Sequence, residues 1–358
     1  MKELDLSPFK ELIKNRCGLQ FEAGNEAILR RALQERIDFL HTRPDGYYAL
    51  LLTRSQEFQE LVNRLTINET YFFREPEQIA LVANRLIPRL LATRQGQGPI
   101  RLLSAGCSSG EEPYTIIIAL MERYGESAGR LFQVFGCDID STALAKARLA
   151  RYSEFSFRGL DPGLRSRYFH KGADGYHLDQ RVRSLVTFLE CNLLADTLSL
   201  EPGRIDIILF RNVSIYFDAP TRRIILEKLA SLLNPDGILI PGTSETMAND
   251  LGILHLVEED GCYIFLNSAP LLENGSRSLP PLSSKDLDPI SSNTTLSNPL
   301  PCSLHSVPPT THDLEPVHNA LAAKQYYTAT TLLDGMLATT PASVPARLLR
   351  AYLHMIHK

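Results

Sequence analysis

"RLLSAGCSSGEEPYTIIIAL", residues 101–120, starts as an apolar strand-like run, passes through small residues and continues with helical spacing. Glycine-rich turns of this kind hold phosphates, so the spacing decides what this one can hold. Gly106 and Gly110 fit neither G-x-G-x-x-G nor the P-loop, because Glu111 and Glu112 stand where the P-loop has Lys and Ser or Thr. Two carboxylates at the head of a helix repel a pyrophosphate. They suit a ligand with hydroxyls and a cationic head.

Outward from this turn, apolar β-rich runs at 100–105, 131–137, 186–190, 205–210 and 237–240 alternate with helical stretches at 112–124, 141–150 and 218–233. That alternation predicts a mostly parallel sheet covered by helices. "GILHLVEE" and "GCYIFLN", separated by Asp260-Gly261, predict a closing antiparallel hairpin. The polar stretch from Arg151 to Val186, with "RYFHKGADGYHLDQRVR", reads as an inserted hairpin or three-stranded patch. Upstream, "SPFKELIKNRCGL", "AILRRALQERIDFLH", "SQEFQELVNRLTI" and "PEQIALVANRLIPRLLATR" carry apolar residues three and four apart, which predicts an all-helical segment over 1–90. Residues 269–311 turn to Ser, Pro, Asn and Thr and read as a flexible linker. In 312–358 helical spacing returns, with Tyr326, Ala329, Leu333 and Pro341 where a tetratricopeptide repeat packs.

The totals exclude several classes. A chain of 358 residues with net charge −4 has no global drive toward nucleic acid or an anionic membrane. No apolar run is long enough to span a bilayer and no leader follows Met1, so the expectation is a soluble cytoplasmic protein without direct membrane insertion. Cys17, Cys107, Cys137, Cys191, Cys262 and Cys302 are scattered without C-x-x-C spacing, which points to buried thiols rather than a metal or a disulfide framework.

The remaining polar groups fall at predicted strand ends. "FQVFGCDID" places Asp138 where a doubly wound sheet presents its ligand, and an acid there accepts ribose hydroxyls, with Asp140 or Ser141 left to cap the next helix. With no phosphate-binding lysine, this points to a nucleoside without phosphates, of which S-adenosylmethionine is the commonest cofactor. "ECNLL" brings Asn192 to the end of the third strand, its amide available to an adenine edge. "ILFRNVSIYFD" ends the fourth with Arg211, Asn212 and Tyr216. "TINETYFFRE" sets Asn68, Thr70 and Arg74 around Phe72 and Phe73, either as a capped loop with two core aromatics or with Arg74 reaching a carboxylate.

"NETYFFRE", "AGCSSGEEPYT", "CDID", "NLL" and "FRNVSIYF" resemble, in order and spacing, the chemotaxis receptor methyltransferases of the CheR family, over about residues 5–268. The resemblance implies a helical N-terminal domain joined to a class I methyltransferase domain, over 91–268, with a β-subdomain inserted at about 155–185. It also implies S-adenosylmethionine as donor and glutamate methyl esters on the cytoplasmic helical domain of a chemoreceptor as product. Carried over, Asn68, Thr70, Arg74, Glu111 or Glu112, Asp138, Asn192, Leu193, Arg211 and Asn212 line the cofactor site, with Arg74 and Tyr216 nearest the methyl. Two departures stand out. Ser214 occupies a position where the family has a hydrophobic residue and where burial is expected, and "KGADGYHLDQRV" matches poorly the glycine-spaced loop of members that dock on a receptor's C-terminal peptide.

The chemistry requires no base, since a glutamate nucleophile is already ionised at neutral pH. Arg30, Arg31 and Arg36 form a basic helix that would complement acidic receptor helices, and the C-terminal helices would bind a protein partner. A small-molecule or RNA methyltransferase, or a cofactor-binding scaffold without catalysis, are the alternatives. The first has no use for the helical domain, RNA would favour a more basic chain, and intact Arg74, Asp138, Arg211 and Tyr216 argue against the second.

Overall fold

The apolar-periodic stretches near the N-terminus fold as helices α1 (Ser7–Cys17), α2 (Glu26–Phe39), α3 (Pro44–Thr53) and α4 (Ser55–Leu65). The computed structural model describes residues 4–94, 98–195, 200–267 and 331–335. The chain divides into two compact units, Met1–Pro281 and Leu282–Lys358. In the second, residues 331–335 are helical and include Leu333. The linker expected over 269–311 and the rest of the expected 312–358 tail lie outside the described residues.

The stretch from Pro76 to Thr93, expected as one helix, is two: α5 (Pro76–Leu81) and α6 (Ile87–Thr93) joined by a π-helical turn at Val82–Leu86. Pro88, which has no N–H to give to the preceding turn, explains the widened ladder just ahead of it.

Next come β1 (Ile100–Ala105), α7 (Glu111–Tyr124), α8 (Ala128–Leu131), β2 (Phe132–Asp138) and α9 (Ser141–Leu149). The insertion follows, with β3 (Arg151–Tyr152), α10 (Pro162–Tyr168), β4 (Phe169–Gly172), β5 (Gly175–Leu178) and α11 (Gln180–Arg183). The main sheet resumes with β6 (Val186–Glu190), β7 (Ile205–Phe210), α12 (Ala219–Leu232), β8 (Leu233–Pro241), α13 (Thr246–Asn249), β9 (His255–Glu259) and β10 (Cys262–Leu266).

The seven strands lie in the order β6-β2-β1-β7-β8-β10-β9, and the insertion forms its own antiparallel sheet, β3-β5-β4. β6, β2, β1, β7 and β8 are parallel, while β10 runs antiparallel to β8 and to β9. Asp260 and Gly261 both take positive φ, 50° and 78°, giving the twist that a two-residue hairpin needs. The chain winds outward from β1 through β2 to β6, then crosses back to β7 on the other side. The crevice at the carboxyl ends of β1 and β7 is therefore the switch point where doubly wound sheets bind ligands.

All six residues of β7 are buried, as a central strand covered on both faces must be. Leu103, Ala105, Ile208 and Phe210 face a core shared with α1–α4 and α12. Leu102, Ile207 and Leu209 face the opposite core, with α5–α7 and the inserted sheet. Each face thus carries its own helical layer, and the rim between them stays open for a site.

The helical domain is also tied to the sheet by charge. Asp218 caps α12 through the Thr221 N–H at 2.9 Å and pairs with Lys14 of α1 at 2.6 Å. The Lys14 contact first, and the Thr221 bond second, hold the Asp218 carboxyl down at about 2. Such a depressed group stabilises the fold above the ordinary carboxylate range and loses that contribution as pH falls through about 2. Asp218→Ala should therefore lower stability at pH 7 by about 1 kcal/mol. Urea unfolding at pH 7 and pH 2 checks this, because the variant should approach the parent at the lower pH.

Candidate functional site

The turn after β1 is shaped by two left-handed glycines, Gly106 (φ 80°) and Gly110 (φ 89°). A Cβ on Gly106 would come within 2.4 Å of Val213, and one on Gly110 within 2.8 Å of Ala147. The turn is packed against its own protein neighbours, with backbone that only glycine adopts freely.

A pocket opens over the carboxyl ends of β1, β2, β6 and β7. It is lined there by Ser108, Glu112, Asp138, Asn192, Leu193, Arg211, Asn212 and Tyr216, and from the helical side by Asn68, Thr70 and Arg74. No lysine or histidine lines it among the described residues. The residues predicted for the cofactor site thus converge from five separate stretches of chain, except Glu111, which lies elsewhere.

Glu111 and Glu112 are one residue apart on α7, about 100° around the helix, so only one can face the crevice. Glu112 does. Its Oε1 accepts from Ser104 Oγ at 2.6 Å and its Oε2 from Arg211 Nη1 at 2.9 Å. Glu111 is buried away from the pocket, accepting from Ser109 Oγ at 2.8 Å and Ser156 Oγ at 3.0 Å, and joins the inserted subdomain to the head of α7. Burial raises its pKa.

Asp138 accepts the Ser108 N–H at 2.7 Å through Oδ2 and the Asp140 N–H at 2.9 Å through Oδ1. Each carboxylate oxygen keeps a lone pair, so the group still has room to accept two hydroxyls. Burial, more than any neighbouring charge, raises its pKa. Asp140 takes the capping role, accepting the Thr142 and Ala143 N–H groups at 2.8 and 2.9 Å. It also receives Thr66 Oγ1 at 2.7 Å and Asn68 Nδ2 at 2.6 Å. Asn68 in turn accepts from Ser108 Oγ at 3.0 Å, which locks the "NET" segment onto the glycine turn.

Arg211 is buried, and both Nη groups of its fork are spent on the protein, while its Nε has no hydrogen-bond partner among the described residues. Besides Glu112 it donates to the Arg74 carbonyl at 2.6 Å and lies 3.6 Å from Glu75. It acts as a strut beneath the pocket, shaping Glu112 and the Arg74 backbone. Arg74 itself donates to the Glu69 carbonyl at 2.9 Å and sits over the Tyr71 ring, and no carboxylate pairs with it among the described residues. Phe72 is fully buried and packs edge-on to Tyr152 and Phe169, while Phe73 donates its N–H to Thr115 Oγ1 at 3.1 Å. Phe72 is core and Phe73 is half-buried against the same core, close to the first of the two readings of this segment.

The Asn192 amide, expected to meet an adenine edge, lines the pocket and is also engaged with the frame. It donates to the Arg16 carbonyl at 2.7 Å and accepts the Leu194 N–H at 3.0 Å, anchoring the loop after β6 to the end of α1. Cys17, Leu19 and Cys191 also line the pocket, contributions from the α1 end and the β6 loop that no motif signalled.

The three arginines of α2 separate. Arg31 is exposed and pairs with Glu35 at 2.8 Å, and Arg30 donates to the Leu4 carbonyl at 3.3 Å. Arg36 corrects the expected basic face. It is buried, grips Glu57 with both prongs at 2.8 and 2.6 Å, and shares that carboxylate with the Tyr47 hydroxyl at 3.0 Å. Desolvation alone would raise the Glu57 pKa, but the Arg36 and Tyr47 hydrogen bonds outweigh it and the pKa is lowered. Arg36→Ala leaves a buried carboxylate without its partner, which costs about 3–5 kcal/mol. Chemical unfolding should show that loss, with cofactor affinity of the folded fraction unchanged.

A seven-stranded sheet of this order, with its last hairpin antiparallel and a lysine-free pocket over its glycine turn, defines a class I methyltransferase fold. The chain belongs to the CheR methyltransferase family: the SAM binding domain of that family matches residues 68–260 and its all-alpha domain residues 4–66. S-adenosylmethionine is the cofactor of the matched domain. The chain is 36% identical over 238 residues to the probable biofilm formation methyltransferase WspC of Pseudomonas aeruginosa, covering 66% of this chain and 56% of that protein. It is 33% identical over 258 residues to chemotaxis protein methyltransferase 2 of Vibrio cholerae, covering 71% and 89%. To the chemotaxis protein methyltransferase of Escherichia coli it is 36% identical over 246 residues, covering 67% and 83%. The chain thus spans about half the length of WspC. No helix among the described residues is long and apolar enough to cross a membrane.

Proposed function

We propose that this protein transfers the methyl group of S-adenosylmethionine to the side-chain carboxylate of glutamates on the cytoplasmic helical domain of a chemoreceptor. The observation that carries the reading is the pocket itself: Asp138 at the end of β2, with hydroxyl-accepting capacity left, stands in one cavity with Arg74 and Tyr216 and with no lysine among the described residues. That donor set fits an adenosyl group without phosphates. When bound, the cofactor supplies an electrophilic methyl on a sulfonium.

The chain's own residues have a limited task. The attacking glutamate, with an ordinary pKa near 4.3, is ionised at pH 7, so no side chain has to remove a proton. Alignment of the carboxylate with the methyl can contribute on the order of 7 to 11 kcal/mol. In this reading Asp138 accepts the ribose hydroxyls and Leu193, buried beside the pocket, packs against the base. Arg74, free of any carboxylate partner among the described residues, takes a carboxylate of the cofactor or the substrate. Tyr216 borders the methyl, and Asn68, Thr70, Glu112, Arg211 and Asn212 form the walls.

Arg30 and Arg31 supply the positive face for the receptor helix, now without Arg36. The enzyme then acts in the cytoplasm, where that receptor domain lies. The helical tail read in 312–358 serves as a protein-binding segment, and deletion of 270–358 should alter complex formation with a receptor array while leaving cofactor affinity intact. The deciding experiment incubates the protein with labelled S-adenosylmethionine and receptor cytoplasmic fragments, followed by mild alkali. Base-labile methanol is the expected product; label stable to alkali, or none in protein, would overturn the reading. In the same assay the Arg30→Ala, Arg31→Ala pair should slow methylation about threefold to tenfold and flatten its salt dependence.

A further inference from the structure

Glu245 lies outside every motif considered above, in the short 3-10 turn Thr243–Glu245 after β8, and is 1% exposed. A carboxylate buried that completely is costly unless its lone pairs are filled. Here they are filled by a single segment of chain. Glu245 Oε2 accepts the Asn212 N–H; Oε1 accepts the Ser214 hydroxyl at 3.0 Å and the Ile215 N–H at 3.1 Å. All three donors belong to the turn that runs from the end of β7 to Tyr216. Asn212 is held there at φ 58°, a left-handed conformation that costs a non-glycine residue energy and persists only where the surroundings impose it. The approach is close on the other side as well: a Cβ on Gly242 would lie 2.6 Å from Glu245 Oε2 and 3.0 Å from the Asn212 nitrogen, so this glycine lets the two strand ends meet.

Ser214 acquires a role in this arrangement. The residue is 1% exposed, where a hydrophobic side chain was the expectation, and its hydroxyl donates to Glu245. It supplies a third donor to the carboxylate rather than a void or an unpaired hydroxyl.

We propose that Glu245, with Ser214, is a positioning residue for methyl transfer, fixing the 211–216 turn so that Asn212 and Tyr216 face the pocket. The proposal rests on the reading of Tyr216 given above. Electrostatics agree with the geometry: burial first, and then the charge of Glu245, hold the Tyr216 phenol above its ordinary value, with Arg74 pulling the other way.

The test is a double-mutant cycle on full-length protein, with labelled S-adenosylmethionine and receptor cytoplasmic fragments as substrates. Glu245→Gln keeps the shape but turns an amide toward a backbone N–H. It is expected to lower kcat about tenfold, with the KM for the cofactor changed by less than about threefold. Ser214→Ala, which deletes one donor, should lower kcat about twofold to threefold in the same sense. In a Tyr216→Phe background, Glu245→Gln should cost little more, because its effect passes through a residue already altered. Strictly additive losses, or a Glu245→Gln enzyme with parental kcat and only a lower melting temperature, would overturn the positioning role. Full turnover by Tyr216→Phe alone would instead remove the Tyr216 assignment, an outcome separable from the other two.

Discussion

Asp138→Ala is expected to weaken binding of S-adenosylhomocysteine on the order of a hundredfold or more. A hydrogen bond to a charged acceptor contributes about 1.5–3 kcal/mol, and two ribose hydroxyls share this carboxylate in the proposed complex. The carboxylate also accepts the Ser108 and Asp140 N–H groups, so the alanine variant loosens the glycine turn. Asp138→Asn separates the two effects, since its carbonyl oxygen still accepts but its charge is gone. It should bind at an intermediate level with a melting temperature near the parent. The pH dependence follows from the direction of the shift. Burial raises the Asp138 pKa, so on acidification the group takes up its proton, and loses acceptor capacity, at a higher pH than an ordinary aspartate. Affinity measured by calorimetry at falling pH should decline correspondingly early in the parent and stay flat in Asp138→Asn.

Arg211→Met should be the most damaging single change to the pocket's frame. The guanidinium is almost wholly buried and satisfies Glu112, the Arg74 carbonyl and, at 3.6 Å, Glu75. Its removal strands carboxylates in a low-dielectric site, a loss of about 3–5 kcal/mol. Lysine cannot rescue it, because one ammonium does not span partners that a planar fork bridges. Urea unfolding gives the stability term. Methylation should fall further than the folded fraction does, since Glu112 and the Arg74 backbone would both move. A variant with parental stability and turnover would show that the strut is dispensable.

How much of this was legible beforehand depends on the range of the interaction. Strands β1 and β7 coincide with the apolar runs at 100–105 and 205–210, because strands buried on both faces need apolar residues throughout, and β6 coincides with the run at 186–190 although it is an edge strand with half-buried and exposed residues. β8 begins at Leu233, earlier than the run at 237–240, because the polar residues Asn234 to Asp236 break the hydrophobic signal while the backbone already pairs Leu233 with Ile205. The π turn at Val82–Leu86 was hidden because side-chain periodicity barely changes when one turn widens.

The same holds at the site. Asp138 and Arg211 stand at strand ends and Tyr216 in the short turn after β7, where sequence order alone predicts a rim position. Which of Glu111 and Glu112 faces the pocket depends on the phase of α7, fixed by packing rather than by composition. Arg36 reads as a surface cation until Glu57, 21 residues away, is seen opposite it. Glu245 carries no local signal at all, being one polar residue in a short turn whose partners lie about 30 residues earlier in the chain.

An unphosphorylated adenosyl ligand at the carboxyl ends of β1 and β2 underlies every role assigned to the pocket. Calorimetric titration of the full chain with S-adenosylmethionine, S-adenosylhomocysteine, ATP and NAD tests this directly. One saturable site for the first two, and no heat with ATP or NAD, is the predicted result. Silence with S-adenosylhomocysteine, or saturable binding of NAD in its place, would contradict it.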